Sequence, residues 1–144
     1  MPVNGTAGMA GSNVYLDACC FIYLVEGSAT WRAAVEERLR TFSDSTLFIT
    51  SQLTRLECRV RPIRTGDSIL LRQYDAILAA DRIQVVDIDA AIIESATNLR
   101  AQFGFKTPDA IHLATGIITG VESFLTGDSR LKRCTDVAVE VIEG

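Results

Sequence analysis

Five short runs of β-type residues recur along this chain, and each is separated from the next by one or two segments of helical period. The runs read "NVYLD", "STLFITS", "RIQVVDI", "ESFLTGD" and "VAVEVI". Strands alternating with helices are the pattern of an α/β domain with a five-stranded, mostly parallel sheet and helices on both faces. Its crossovers are right-handed. In an open sheet of this kind, ligands bind outside the carboxyl ends of the strands, where the strand order switches direction. Chemistry is therefore to be sought at strand ends.

The intervening segments carry their own punctuation. "ACCFIYLVEG" reads as a buried helix closed by Gly27, and "SATWRAAVEERLRTF" places Trp31, Ala34, Val35, Leu39 and Phe42 on one helical face. "SQLTRLECRVR" follows with Ser51 as its cap, Leu53, Leu56 and Val60 as its buried stripe, and Pro62 beyond its end. "GDSILLRQYDAILAAD" gathers Leu70, Leu71, Tyr74, Ile77 and Leu78, while Asp89 caps "AAIIESATNLRAQFG" up to Gly104. The last long helix opens at "KTPDAIHLATG". Thr107 can cap it, Pro108 suits the first helical position, and the helix runs to about Thr119. "SRLKR" makes a further helical turn.

A length of 144 residues fits one domain, and 48% apolar residues exclude a disordered chain. No apolar run approaches the roughly 18 residues of a membrane helix, so a soluble protein is expected. "MPVNGTAGMAGSN" lacks the basic and apolar regions of a secretory signal. Residues 1–13 thus read as a flexible leader and 14–144 as the domain. Cys19, Cys20, Cys58 and Cys134 form no C-x-x-C pair, and one histidine is too few for an ordinary zinc site. Adjacent apolar cysteines fit reduced thiols and a cytoplasmic protein.

The net charge of −4 argues against nucleic-acid binding by overall charge. Local clusters remain: Arg55, Arg59, Arg61 and Arg64 around a single acid, and Arg130, Lys132 and Arg133 after Asp128. Either cluster alone reads as a solvated face.

Four acids fall at strand ends or early in the element that follows: Asp17, Glu57, Asp109 and Asp128. Each has an ordinary explanation. Asp17 can cap the next helix, Asp128 can close a turn, and Asp109 suits the positive end of a helix dipole. Glu57 lies beside Leu53 and Val60 on the expected buried stripe, which a glutamate occupies only at its edge or for a purpose. If the four share one edge of the sheet, their repulsion must be offset. Two unit charges at ~4 Å cost about 4 kcal/mol at an effective dielectric near 20. A divalent ion does this, and hard oxygen ligands select Mg²⁺ or Mn²⁺. Such ions activate water and stabilise a phosphoryl group under in-line attack.

"YLDACCFIYLVEG", "TSQLTRLE", "KTPDAIHLATG" and "FLTGDSRL", in this order and at these intervals, resemble the PIN-domain nucleases, and more narrowly the VapC-type toxins of toxin–antitoxin pairs. The resemblance spans Val14 to Ile142, with "TPDAIHLA" its most specific part. It implies a five-stranded parallel sheet and cleavage of RNA with Mg²⁺ or Mn²⁺. It also implies a VapB-type antitoxin, whose segment lies in an apolar groove and can push a basic side chain toward the acids, and pairing as a homodimer. The family's acids fall on Asp17, Glu57, Asp109 and Asp128. Asp17, Asp109 and Asp128 would hold the metal, with Glu57 completing the shell or orienting the water. Products would carry 5′-phosphate and 3′-hydroxyl ends. Arg55, Arg59, Arg130 and Lys132 are the candidates for holding RNA.

Two departures from the family stand out. Ala18 and Cys19 follow the first aspartate where many relatives have a small hydroxyl or amide residue. The last motif, often T-N-D, reads Thr126-Gly127-Asp128. His112 belongs to the motif and is expected to pack or hydrogen-bond under the site rather than ligate. Being the only histidine, it also argues against a metal-free ribonuclease, which would normally use histidine acid–base catalysis.

Other classes fit less well. Dehalogenase-like phosphohydrolases want a second aspartate where Cys19 stands, receiver domains want an early acidic pair, and no phosphate loop of the P-loop type exists. A PIN-like module that binds RNA or a partner without cutting stays open as the alternative, with retention of all four acids against it.

Overall fold

The computed structural model describes residues 12–144. Its strands are β1 (Asn13–Leu16), β2 (Leu47–Ser51), β3 (Ile83–Val86), β4 (Ser123–Thr126) and β5 (Val139–Val141). They form one sheet in the order β3-β2-β1-β4-β5. Every neighbouring pair is parallel, and Tyr15 of β1 stands opposite both Ile49 of β2 and Phe124 of β4. The helices are α1 (Ala18–Glu26), α2 (Ala29–Arg40), α3 (Gln52–Thr65), α4 (Ser68–Leu78), α5 (Ala90–Phe103) and α6 (Thr107–Ile118). A 3₁₀ turn spans Ser129–Arg133. The expected leader lies almost wholly outside the described residues, although Asn13 already belongs to β1.

Side chains alternate across a strand, so β1 feeds two cores. Val14 and Leu16 enter one cluster with Phe21, Val35, Phe48, Tyr74 and Leu125. Tyr15 enters the other with Ile92, Leu99, Leu113, Phe124 and Leu131. Residues of α1, α2 and α4 pack into the first cluster and residues of α5 and α6 into the second. Both faces of the sheet are therefore covered, as an all-parallel sheet requires.

Helix α3 corrects two expectations. It continues through Pro62 to Thr65 and ends at Gly66, whose φ of 71° is left-handed. The proline sits in the last turn, where it forfeits one helical hydrogen bond. Its own carbonyl still accepts from Asp67 N at 2.9 Å, closing the end. The buried side of α3 is Thr54, Cys58 and Pro62. Leu56, Val60 and Ile63 instead stand 60%, 50% and 55% exposed. Apolar spacing identifies a face without saying which way it points, and here the small and polar residues face inward.

The caps differ in detail. Ser51 makes no side-chain cap; its hydroxyl accepts from Tyr15 Oη at 3.1 Å instead. The cap of α6 is Lys106 rather than Thr107, whose hydroxyl accepts from Arg100 Nη1 at 3.0 Å. Gly27 does close α1, but with an ordinary φ of −69°. Its lack of a side chain matters because a Cβ would lie 2.4 Å from the Tyr23 carbonyl oxygen.

Candidate metal and phosphodiester site

The strand order runs outward from β1 in one direction and from β4 in the other. The gap between their carboxyl ends is the switch point. Asp17 leaves β1 here, its backbone N donating to Leu125 O of β4 at 3.1 Å. The side chain caps α1: Oδ1 accepts from Ala18 N at 2.7 Å. Oδ2 accepts from Thr126 Oγ1 at 2.7 Å and lies 3.6 Å from the Cys19 thiol. With 8% of its surface exposed, Asp17 is buried with its orientation fixed on both oxygens.

Asp128 follows β4 and caps the 3₁₀ turn. Its backbone N donates to Thr126 Oγ1 at 3.1 Å, so one hydroxyl links Asp17 and Asp128. Arg130 grips the Asp128 carboxylate through Nε at 3.0 Å and Nη2 at 2.7 Å, which holds this acid below the usual aspartate range. Asp109 sits in the first turn of α6. Burial raises its pKa, the charges of Asp17 and Asp128 raise it further, and His112 and Arg130 oppose them. Asp17, Asp109 and Asp128 thus act on one another.

Glu57 approaches from α3, and its Oε1 lies 2.7 Å from His112 Nε2. The same nitrogen is 3.4 Å from Asp17 Oδ1. Burial lowers the His112 pKa, but the hydrogen bond to Glu57 and the charges of Asp17, Glu57 and Asp109 raise it by more. All four acids line one cleft of about 400 Å³, together with Cys19, Tyr23, Gly127 and Ser129.

The donors at this cleft are carboxylate oxygens, which is the chemistry Mg²⁺ and Mn²⁺ prefer, and the mutual repulsion at Asp109 is the charge imbalance a divalent ion relieves. Asp128 is turned to Arg130 and Glu57 to His112. Among the described residues no three His, Cys, Asp or Glu side chains already stand at metal-ligating spacing. The residues fit the ion by charge and donor type, and its arrival would compete with Arg130 for Asp128.

The basic residues divide. None of Arg55, Arg59, Arg130 and Lys132 lines the cleft, though Arg130 reaches it through Asp128. Arg59 is paired with Asp75 at 2.7 Å, and Arg55 borders the exposed apolar face of α3. Several residues of the site escaped the sequence reading. Thr126 is visible only as part of "TGD", Tyr23 as one more apolar helix residue, and Lys106, which helps lower the Asp128 pKa, as a residue two positions before a proline. The glycine of "TGD" has a local cause: a Cβ on Gly127 would lie 2.5 Å from Tyr23 Oη. Tyr23, stacked on Trp31 with ring centroids 4.5 Å apart, takes the space a larger residue would fill.

Several solved structures share this architecture. VapBC2 from Rickettsia felis, bound to a DNA fragment from its promoter, superposes with a TM-score of 0.77 at 13% identity, covering 91% of this chain and 99% of that one. VapC20 of Mycobacterium tuberculosis, a sarcin–ricin loop cleaving toxin, gives 0.73 at 15% identity, with 90% and 99% covered. A toxin–antitoxin complex from Klebsiella pneumoniae gives 0.68 at 21% identity, with 87% and 95% covered. At these identities the likeness is one of fold. No curated protein matches the sequence. The PIN domain model matches residues 14–137, and the chain belongs to the PIN domain family.

Proposed function

We propose that this protein is a Mg²⁺- or Mn²⁺-dependent endoribonuclease and the toxin of a toxin–antitoxin pair. The observation that carries the reading is the convergence of Asp17, Glu57, Asp109 and Asp128 on one cleft at the switch point, where burial first, and then the charges of Asp17 and Asp128, raise the Asp109 pKa. Asp17, Asp109 and Asp128 would hold the ion, with Glu57 completing its shell or orienting water. When bound, the ion supplies an acidified water and charge stabilisation on the phosphoryl group. Asp17 is suited to an inner position because Ala18 N and Thr126 Oγ1 fix both its oxygens. Arg130 changes partner in this scheme, releasing Asp128 and turning to a phosphate. Lys132 would contact the same strand, with Arg55 and Arg59 further along α3. In this scheme the oxygen of water bonds to phosphorus in line as the P–O3′ bond breaks, the water gives up a proton and O3′ takes one up from solvent, so that the products carry 5′-phosphate and 3′-hydroxyl ends.

The partner assigned is a VapB-type antitoxin, in keeping with the toxin–antitoxin complexes among the structural relatives. Two apolar surfaces are available for it and for a second copy of the chain. One is a groove of about 420 Å³ that includes Phe21, Leu24, Leu39, Phe42 and Ile77. The other is the Leu56, Val60 and Ile63 face of α3. Among the described residues no helix is long and apolar enough to cross a membrane.

The test is cleavage of RNA by the purified protein with Mg²⁺ or Mn²⁺ and with EDTA, followed by mapping of the new ends. Metal should also raise the melting temperature, and Asp17→Asn should erase most of that shift. Cyclic phosphate ends would overturn the mechanism. A metal-induced shift without any new ends would favour a binding module that does not cut.

A further inference from the structure

We propose that His112, braced from behind by Tyr15, is a positioning residue that fixes Glu57 at the wall of the cleft for RNA cleavage, an inference that rests on the ribonuclease reading above. His112 is 2% exposed, yet its ring is held at both nitrogens by side chains. Nε2 faces two carboxylates, Glu57 Oε1 at 2.7 Å and Asp17 Oδ1 at 3.4 Å. Carboxylates only accept, so this nitrogen carries a hydrogen and donates it. Nδ1 lies 2.7 Å from Tyr15 Oη, and Tyr15 in turn donates to Ser51 Oγ at 3.1 Å.

The brace is rigid. Tyr15 is fully buried, its ring stacked on Phe124 at 4.9 Å and 6° and meeting His112 edge-on at 5.9 Å. It stands on β1 two residues before Asp17, and Ser51 stands at the end of β2. One line of hydrogen bonds therefore runs from two strand ends through α6 to Glu57 on α3.

A histidine that only filled the core would have no need of an outer nitrogen aimed at the acids. Among the described residues the Glu57 carboxylate has no hydrogen-bond partner but His112, and 32% of its side chain is exposed. Left alone it would sample several rotamers. With Oε1 committed to His112, Oε2 is left at a set position for water or for a metal's shell. Placement of this kind separates a reacting geometry from a merely adjacent one.

His112 is the only histidine, so both imidazole nitrogens in a ¹⁵N-edited spectrum belong to it, and the one that responds to Glu57→Gln is Nε2. In the metal-free protein a slowly exchanging ring N–H is expected, shifting in Glu57→Gln and in Tyr15→Phe. Steady-state cleavage and calorimetric Mn²⁺ binding then compare His112→Ala with His112→Gln, whose amide can donate near the Nε2 position. We expect His112→Ala to lower kcat roughly 10–100-fold, the range for groups that orient metal-site carboxylates. KM for RNA should stay unchanged, Mn²⁺ binding should weaken, and His112→Gln should recover most of both losses. Tyr15→Phe keeps the stack on Phe124 and carries the same kinetic comparison if His112→Ala does not fold. A ring N–H that exchanges freely or ignores Glu57→Gln overturns the proposal, as does an undiminished kcat in the folded variants. A wild-type protein that shows the N–H signature but neither binds metal nor cleaves RNA overturns the ribonuclease reading, and the assigned role falls with it.

Discussion

Thr126 Oγ1 donates to Asp17 Oδ2 at 2.7 Å across 109 residues of sequence, and the same hydroxyl accepts from Asp128 N at 3.1 Å. A single fully buried side chain thus ties the end of β1 to the turn after β4. Thr126→Val keeps the shape but strips a donor from a buried carboxylate and an acceptor from a backbone amide. A loss of about 1–3 kcal/mol in urea unfolding is expected, along with a smaller metal-induced rise in melting temperature. Thr126→Ser should retain most of both. A Val variant that keeps both while the Ser variant loses them would mean that the methyl, not the hydroxyl, is what the site uses.

Much of this arrangement is legible in the sequence. Asp17 and Asp128 mark the ends of β1 and β4, and a chain that alternates strands with helices must bring such ends to one edge of its sheet. The orientation of α3 was not readable. Leu53, Leu56 and Val60 share a face by spacing, but the decision to bury Thr54 and Cys58 instead is made by tertiary contacts. Thr50 Oγ1 donates to Leu16 O at 2.9 Å and shares a hydrogen bond with Thr54 Oγ1 at 2.7 Å, which lets polar residues face the sheet without loss. The role of His112 could be placed near the acids by its motif, whereas its link to Tyr15 joins residues 97 apart in sequence. No local pattern announces such a pair.

Gly127 and Tyr23 should behave as a coupled pair. A Cβ at Gly127 falls 2.5 Å from Tyr23 Oη and 2.8 Å from its ring, so Gly127→Ala is expected to destabilise by about 1–3 kcal/mol through overpacking. Tyr23→Ala opens that space at its own expense, and the double variant should cost less than the sum of the two. Additive losses in a double-mutant cycle would show that the turn itself, rather than the tyrosine, demands glycine.

The Arg38–Glu140 pair gives the fold an acid-sensitive element away from the cleft. Arg38 donates to both Glu140 oxygens, with Nη2 to Oε1 at 2.7 Å, and holds this carboxyl below the ordinary glutamate value. A lowered folded pKa stabilises the protein above the unfolded pKa, and the contribution is lost as pH falls through the lowered value. About a third of each side chain is exposed, so the effect is modest and screened by salt. Melting temperature followed from pH 7 downward should fall less steeply in Glu140→Gln than in wild type, and the difference should shrink in high salt. Parallel curves would remove the pair from the acid response.

The exposed face of α3 separates folding from assembly. Leu56, Val60 and Ile63 lie along one side of the helix, bordered by Arg55, Arg59 and Arg64. Substituting an exposed residue away from special contacts usually changes stability by no more than about 0.5 kcal/mol. Val60→Asp should therefore unfold in urea almost as wild type does. An apolar face covered by a second copy or by the antitoxin responds differently, because a carboxylate at the centre of the contact would be desolvated without a partner. The expected result is a normal melting curve with reduced self-association, or reduced co-elution with the antitoxin, in size-exclusion chromatography coupled to light scattering. Arg64→Glu, at the border, should weaken assembly less and in a salt-dependent way. If Val60→Asp elutes as wild type does, alone and with the antitoxin, neither partner uses this face, and the groove beside Phe21 and Leu24 is left to bind both.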